Sequence, residues 1–146
     1  IMSKHKYVVA IDGSDWGDRA AERAIHLAEK TRAKVELLTV LNWPTIQPVM
    51  VEGIVPPPVD KTSEERYTND KILNPIVERF RESDVTIKTQ VLWGDPVIEI
   101  LDHIKKCHAN MLFVGRRGRS RVADLILGSV SNKLAHSVGI PIVLVP

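Results

Sequence analysis

The apolar residues of this chain fall into two patterns, short runs and longer stretches with a helical period. Short runs rich in Val, Ile and Leu are typical of β-strands, and near-continuous runs are typical of strands buried on both faces. The third run alternates apolar and polar residues, which predicts a half-buried edge strand. The predicted strands occupy residues 7–11, 35–41, 85–92, 111–114 and 140–145.

The longer stretches predict four helices, over residues 16–32, over residues 63–82, from Pro96 onward, and from Ser129 onward. Ser14 or Asp15 is placed to cap the first helix. Asp95 and Pro96 are favoured at the cap and the first position of the third helix. Pro75 lies inside the second helix and predicts a kink there.

Strands and helices therefore alternate, which predicts an α/β fold with helices on both faces of a five-stranded parallel sheet, a three-layer sandwich. Crossovers in such sheets are right-handed. Ligands bind at the carboxyl ends of the strands, where the strand order reverses. Asp12 and Gly115 stand at the ends of the first and fourth strands. If these strands are neighbours at the reversal, both residues face one crevice.

Residues 42–61 interrupt the alternation with a high density of proline, which excludes a regular helix or a central strand. Long irregular loops in compact domains tend to be functional or disordered. A flap over a site and a mobile loop are both compatible with this segment.

The composition, with 44% hydrophobic and 26% charged residues in a chain of 146, is that of one soluble globular domain. The net charge is +2, and the basic cluster of Arg116, Arg117, Arg119 and Arg121 is local, so nucleic-acid binding is not expected. No stretch approaches the ~20 apolar residues of a membrane span, and the first residues lack the apolar core of a signal peptide. With Cys107 as the single cysteine, these features predict a cytoplasmic protein without disulfides.

The sequence GRRGRSRVADLILGS, residues 115–129, joins the fourth strand to the last helix. Its glycines, Gly115, Gly118 and Gly128, permit tight turns or a close approach of the backbone to a ligand. Free N–H groups at the start of the following helix, with the hydroxyls of Ser129 and Ser131, predict a phosphate site. The spacing matches neither the dinucleotide-binding fingerprint nor the Walker loop. Plain glycine turns, with Ser129 as a helix cap, are the alternative.

Asp12 follows the first strand and is a candidate ligand of a ribose hydroxyl or of a phosphate-bound divalent cation, because hard cations prefer carboxylate oxygens. The alternative is a local role in an Asx turn or N-cap with Gly13 and Ser14.

Other side chains with chemical potential are weaker candidates. His103 and Cys107 are four residues apart on the third helix, as metal ligands can be, but that helix face offers too few ligands for a site. Trp16, Trp43 and Trp93 stand near strand ends, where packing is the simpler interpretation and stacking on a base the alternative. No catalytic triad or pair of carboxylates can be identified.

Three motifs together resemble the universal stress protein family. They are Asp-Gly-Ser after the first strand, Gly-Asp-Pro before the third helix, and GRRGRSRVADLILGSVSNKLA followed by PIVLV. The likeness extends from Tyr7 to Val145, and the G-x₂-G-x₉-G-[ST] spacing is the mark of the ATP-binding branch of the family. The resemblance implies a Rossmann-like fold with strand order 3-2-1-4-5 and a homodimer formed through the last strand.

The resemblance also implies a site for ATP, with Mg²⁺ or Mn²⁺ bridging the phosphates. By motif position, Asp12 lies near the ribose, the phosphates and the metal, Ala10 lines the same pocket, and the backbone of Val40 faces the adenine. Arg116 departs from the small residue common at its position, and it either adds a phosphate contact or crowds the pocket. The residues implied in the loop are Gly115, Arg117, Gly118, Gly128, Ser129, Val130 and Ser131.

Three functions are compatible with these features. The first is an adenine-nucleotide-binding stress protein that acts as a switch or sensor. The second is a slow ATPase, because phosphoryl transfer needs mainly positioning and charge neutralisation, although no general base stands out. The third is a dimeric interaction module with a vestigial pocket, favoured by the apolar last strand, since an exposed edge invites pairing.

Overall fold

A computed structural model describes residues 5–42, 53, 60–118 and 128–146. The predictions for Trp43, Arg119, Arg121 and nearly all of the proline-rich segment fall outside these residues. The strands are β1 (Lys6–Ala10), β2 (Lys34–Leu41), β3 (Ile87–Trp93), β4 (Met111–Gly115) and β5 (Ile142–Val145). The helices are α1 (Asp15–Thr31), α2 (Lys61–Thr68), α3 (Asn74–Arg79), α4 (Pro96–Cys107) and α5 (Ser129–Ser137).

The five strands form one parallel sheet in the order β3-β2-β1-β4-β5, as predicted. β3 lies at one edge and is partly exposed, which confirms the edge position predicted from its alternating pattern. β1 pairs with β2 on one side and with β4 on the other. The chain therefore reverses its direction of winding between β1 and β4, and a crevice opens at their carboxyl ends.

Local hydrogen bonds fix where the helices begin. Ser14 is the N-cap of α1, and its side chain accepts a hydrogen bond from the N–H of Gly17 at 3.3 Å. Asp95 caps α4 by accepting from the N–H of Ile98 at 3.1 Å, with Pro96 at the first helical position. Both caps satisfy N–H groups that have no partner inside their own helix.

The second predicted helix is continuous over α2 and α3 but contains a π-helical turn at Asn69–Leu73. Within this turn the N–H of Asn74 reaches back to the carbonyl of Asn69, one residue further than in an α-helix. Pro75 follows at once and has no N–H to donate, so the widened turn takes the place of the simple kink. The helix also ends earlier than residue 82, at Arg79.

Alternation along the strands divides the core into two layers. One layer packs α1 and α3 against the sheet around Val9, Leu37 and Phe113. The other packs α4 and α5 against the opposite face around Val8, Leu38 and Leu112. Within the described ranges, no helix combines the length and apolar character needed to cross a membrane.

Candidate functional site

A cavity of about 200 Å³ opens where the carboxyl ends of β1 and β4 meet, on the face of the sheet covered by α4 and α5. Its inner part is apolar, with walls from β2, α4, β4 and α5. Leu38, Val40, Ile100, Val114 and Leu134 supply these walls. A flat apolar group would be desolvated on several sides here, as in many small-molecule sites.

The outer part of the cavity is polar and begins at Asp12. One carboxylate oxygen, Oδ1, accepts hydrogen bonds from Ser14, including its backbone N–H at 2.9 Å. The predicted Asx-turn role of Asp12 is therefore present, and it orients the carboxylate. The other oxygen, Oδ2, faces Gly118, where a Cβ would come within 2.8 Å of it. The carboxylate thus lies directly against the glycine loop.

The glycines of the loop stand where the chain is too crowded for side chains. A Cβ on Gly115 would lie 2.6 Å from the Cβ of Trp16, and one on Gly128 would lie 3.3 Å from the nitrogen of Gly118. The N–H of Gly128 also donates to the carbonyl of Arg116 at 2.8 Å. Strand β4 and the start of α5 are therefore held together, although residues 119–127 between them are not described.

Helix α5 begins at the edge of the cavity. Its N-cap is Gly128, and no side chain in the described part of the protein caps it. The N–H groups of its first turn, from Ser129 to Ser131, have no carbonyl partner within the helix. Such a helix start attracts anions.

Other carboxylates lie near Asp12. Asp18, in the first turn of α1, has a raised pKa, chiefly because it is partly buried and then because Asp15 lies near, while Arg79 opposes the shift and Asp12 adds to it. Asp12, Asp15 and Asp18 therefore form a group of carboxylates near the polar end of the cavity.

The family model described as "Universal stress protein family" matches residues 4–146. The chain belongs to the universal stress protein family. It is 34% identical over 145 residues to the universal stress protein YxiE of Bacillus subtilis, covering 97% of this chain and 98% of that protein.

Solved structures of universal stress proteins share the fold. One, in complex with cAMP, superposes with a TM-score of 0.69 at 24% identity. The match covers 97% of this chain and 96% of that structure's chain. Another, from Arabidopsis thaliana with AMP bound, gives a TM-score of 0.63 at 21% identity, with coverages of 97% and 90%. At these identities the likeness establishes the Rossmann-like fold.

All ten residues that the family resemblance implied for the site line this one cavity in the present universal stress protein. They are Ala10, Asp12, Val40, Gly115, Arg117, Gly118, Gly128, Ser129, Val130 and Ser131. One role differs from the expectation. The hydroxyl of Ser131 donates to the carbonyl of Gly115 at 2.6 Å. In this structure its proton therefore bonds to the end of β4 and does not point toward a ligand.

Some lining residues escaped the sequence analysis. Gly17 stands where a Cβ would lie 3.2 Å from Oδ1 of Asp12, and Pro96 and Ile100 contribute the wall from α4. Gly17 has a weak sequence signal, since it is a glycine inside a predicted helix. Ile100 has none, because an apolar residue of a helical stripe is indistinguishable from any other core residue.

Arg116 is not among the residues that line the cavity. Its backbone N–H donates to the carbonyl of Val145 at 2.7 Å, and its own carbonyl accepts from Gly128. The backbone of Arg116 therefore connects β5 to the start of α5, and its side chain does not crowd the pocket.

The described tryptophans lie outside the cavity lining. The guanidinium of Arg19 lies over the ring of Trp16 at 5.4 Å from its centroid. Trp93 donates its indole N–H to Glu65 at 2.7 Å, and Lys61 lies over its ring. Both side chains therefore pack against neighbouring residues outside the cavity lining.

Proposed function

We propose that this universal stress protein binds an adenine nucleotide in the cavity at the ends of β1 and β4. The observation that carries the proposal is the two-part character of the cavity. An apolar inner wall suited to a base leads directly to Asp12, the close-packed glycines and the open start of α5. Family members whose structures contain cAMP or AMP support the assignment.

The proposed orientation follows from the two ends of the cavity. The adenine lies between β2 and α4, near Val40 and Ile100. The ribose lies near Ala10 and Asp12, and the phosphates lie against Gly118 and the first N–H groups of α5. Burying the base removes apolar area from water, and the helix start balances the charge of the phosphates.

We propose ATP as the ligand, accompanied by Mg²⁺ or Mn²⁺ held on Asp12. The residues present fit such an ion, because Oδ1 of Asp12 is engaged by Ser14 while Oδ2 faces the glycine loop. One oxygen is thus oriented toward the phosphate side. When bound, the ion would neutralise the phosphates beside the carboxylates of Asp12 and Asp18.

Isothermal titration with ATP, ADP, AMP and cAMP, each with and without Mg²⁺, tests both parts of the proposal. We expect binding of at least one adenine nucleotide, with Mg²⁺ strengthening the binding of ATP more than that of AMP. No binding of any of the four at millimolar concentration would overturn the nucleotide assignment. Binding unaffected by Mg²⁺, and equally unaffected in an Asp12→Asn variant, would overturn only the metal role.

A switch or sensor role in the stress response, in the cytoplasm, is the function we propose for this binding. Nucleotide would tie β4 to α5 across the glycine loop. Hydrogen exchange with and without ATP tests this, and we expect slower exchange at the start of α5 and in β4. Equal exchange in both states would mean that ATP binding does not change β4 or α5, and it would contradict the switch role.

We also propose a homodimer formed through β5. This strand is a sheet edge whose residues Ile142, Val143 and Leu144 are only partly buried. A groove next to it is lined by Leu27, Phe113 and Val143 among others. Unpaired edges invite pairing with a second chain. Sedimentation at micromolar concentration should give a dimer that Val143→Lys converts to a monomer, and a monomeric wild type would contradict the proposal.

A further inference from the structure

A second group of ligand-bearing side chains lies away from the nucleotide cavity. Glu36 on β2 meets His103 and Cys107 on α4, and Nε2 of His103 contacts Oε1 of Glu36. A carboxylate oxygen, an imidazole nitrogen and the thiol sulfur of the three residues all lie within 4.8 Å of one another. The face of α4 alone offers two ligands, and Glu36 on the sheet supplies the third.

We propose that Glu36, His103 and Cys107 bind one divalent transition-metal ion, with Zn²⁺ as the preferred ion. Zinc takes its ligands from carboxylate, imidazole and thiolate, the three types present here. In a tetrahedral zinc site with ordinary bond lengths, ligand atoms stand about 3.3–3.8 Å apart. The three ligand atoms lie within 4.8 Å of one another, so the side chains would adjust around the ion to reach this range.

The cluster is largely buried, with a small part of it open to solvent. The side chains of Glu36 and His103 are 12% and 16% exposed, and Cys107 is also partly buried. The sulfur of Cys107 lies 3.9 Å from the carbonyl of Ile104, a long contact that a metal bond would replace. Three protein ligands beside solvent leave the fourth position to water.

The competing interpretation is an ion pair between Glu36 and His103 that fastens α4 to the sheet. It explains two of the three residues but not the thiol sulfur, which lies within 4.8 Å of the ligand atoms of both. Mixed nitrogen, oxygen and sulfur ligands discriminate against Mg²⁺ and Ca²⁺, which prefer oxygen alone. The proposed ion therefore differs in ligand preference from the Mg²⁺ or Mn²⁺ proposed on Asp12, both of which favour oxygen ligands.

The site lies on the same two elements as the cavity but at the other end of them. Glu36 precedes Leu38 and Val40 on β2, and His103 follows Pro96 and Ile100 on α4. Metal binding is thus separable from nucleotide binding, and the two proposals can fail independently.

Titration of chelator-treated protein with Co²⁺, and then with Zn²⁺, tests the site. We expect one Co²⁺ per chain, with a thiolate-to-cobalt charge-transfer absorption that Zn²⁺ abolishes. Cys107→Ser should remove this absorption, and His103→Gln, which keeps a donor toward Glu36, should weaken Zn²⁺ binding by at least about 10–100-fold. His136→Gln, at an exposed histidine of α5, is the matched control and should bind as the wild type does.

Two results would overturn the proposal. One is the absence of stoichiometric Co²⁺ or Zn²⁺ binding at micromolar concentration, which would leave the cluster as an ion pair. The other is binding that Cys107→Ser and His103→Gln reduce no more than His136→Gln does, which would place the ion elsewhere. Circular dichroism of each variant separates loss of ligand from loss of fold.

Discussion

Gly118 is the residue on which the shape of the polar end of the cavity depends most directly. A Cβ there would meet Oδ2 of Asp12 at 2.8 Å, and this carboxylate cannot easily move because Ser14 holds its other oxygen. Overpacking costs about 1–3 kcal/mol, so Gly118→Ala should weaken adenine-nucleotide binding about 10-fold or more. Isothermal titration measures the change.

Gly139 provides the matched control for this substitution. A Cβ at Gly139 meets no atom of the described residues within 4 Å, so Gly139→Ala should bind nucleotide as the wild type does. Equal affinity in the two variants would mean that the ligand does not lie against Gly118, and the proposed position of the phosphates would be wrong.

Ser129 and Ser131 are neighbours in α5 with different roles. The buried hydroxyl of Ser131 donates to the carbonyl of Gly115, whereas Ser129 is exposed. Ser131→Ala leaves that carbonyl without this partner and should lower the free energy of unfolding by about 1–3 kcal/mol. Ser129→Ala should change it by less than about 0.5 kcal/mol. Urea unfolding measures the free energy of unfolding of both variants. Equal values for the two variants would show that the Ser131 hydrogen bond does not stabilise the fold.

At the scale of elements, the first turn of α1 combines favourable and unfavourable charge. Carboxylates are favoured at a helix start, yet burial and the neighbouring Asp15 raise the pKa of Asp18 above its usual 3.8. A carboxyl whose pKa rises on folding stabilises the fold below its unfolded pKa, and this contribution is lost as pH increases through the folded pKa. The charged form of Asp18 is thus disfavoured in the folded protein.

Asp18→Asn should therefore unfold at a slightly higher temperature than the wild type at pH 7. The difference should disappear as the pH falls below about 4, where Asp18 is protonated in both states. Thermal unfolding followed by circular dichroism between pH 3 and pH 7 measures it. A variant less stable than the wild type at pH 7 would show that the helix dipole outweighs the burial of the charge.

The elements themselves could be predicted from the sequence because each follows from local patterns. Asp95 and Pro96 fix the start of α4, and the continuous apolar runs fix the central strands. The π-helical turn at Asn69–Leu73 was not predicted, because Pro75 signals a disturbed helix without specifying how the backbone absorbs it. Strand order came from family resemblance, since alternating elements alone permit more than one order.

Part of the candidate site could also be predicted from the sequence, and part could not. The glycine spacing and Asp12 identify the polar end of the cavity. Close approach of the backbone to a ligand requires glycine, and a negative charge requires a carboxylate. The apolar wall from Ile100 could not be singled out, since a core residue and a lining residue look alike in sequence. Glu36 was missed for a third reason. Its meeting with His103 and Cys107 depends on the register of β2 against α4, which no local pattern contains.

Across the molecule, one face of the parallel sheet carries the proposed binding sites and the other face carries core packing. Its two faces are covered by different helices, and both proposed sites use the face of α4 and α5. The layer around Val9 and Leu37 is free of these ligand-bearing groups and supplies core packing on the opposite face. Ligands should therefore stabilise the molecule by holding α4 and α5 to the sheet.

Nucleotide binding should thus raise the unfolding temperature of the whole protein. A ligand that binds only the folded state, at 100 times its Kd, adds about 2.7 kcal/mol, which corresponds to roughly 5–10 °C for a protein of this size. Differential scanning fluorimetry with increasing ATP and Mg²⁺ measures the shift, and GTP at equal concentration controls for the general effect of nucleotide and salt. Gly118→Ala should need about 10-fold more ATP for the same shift, because its affinity is lower. A shift that is equal for ATP and GTP, or unchanged by Gly118→Ala, would contradict adenine recognition in this cavity.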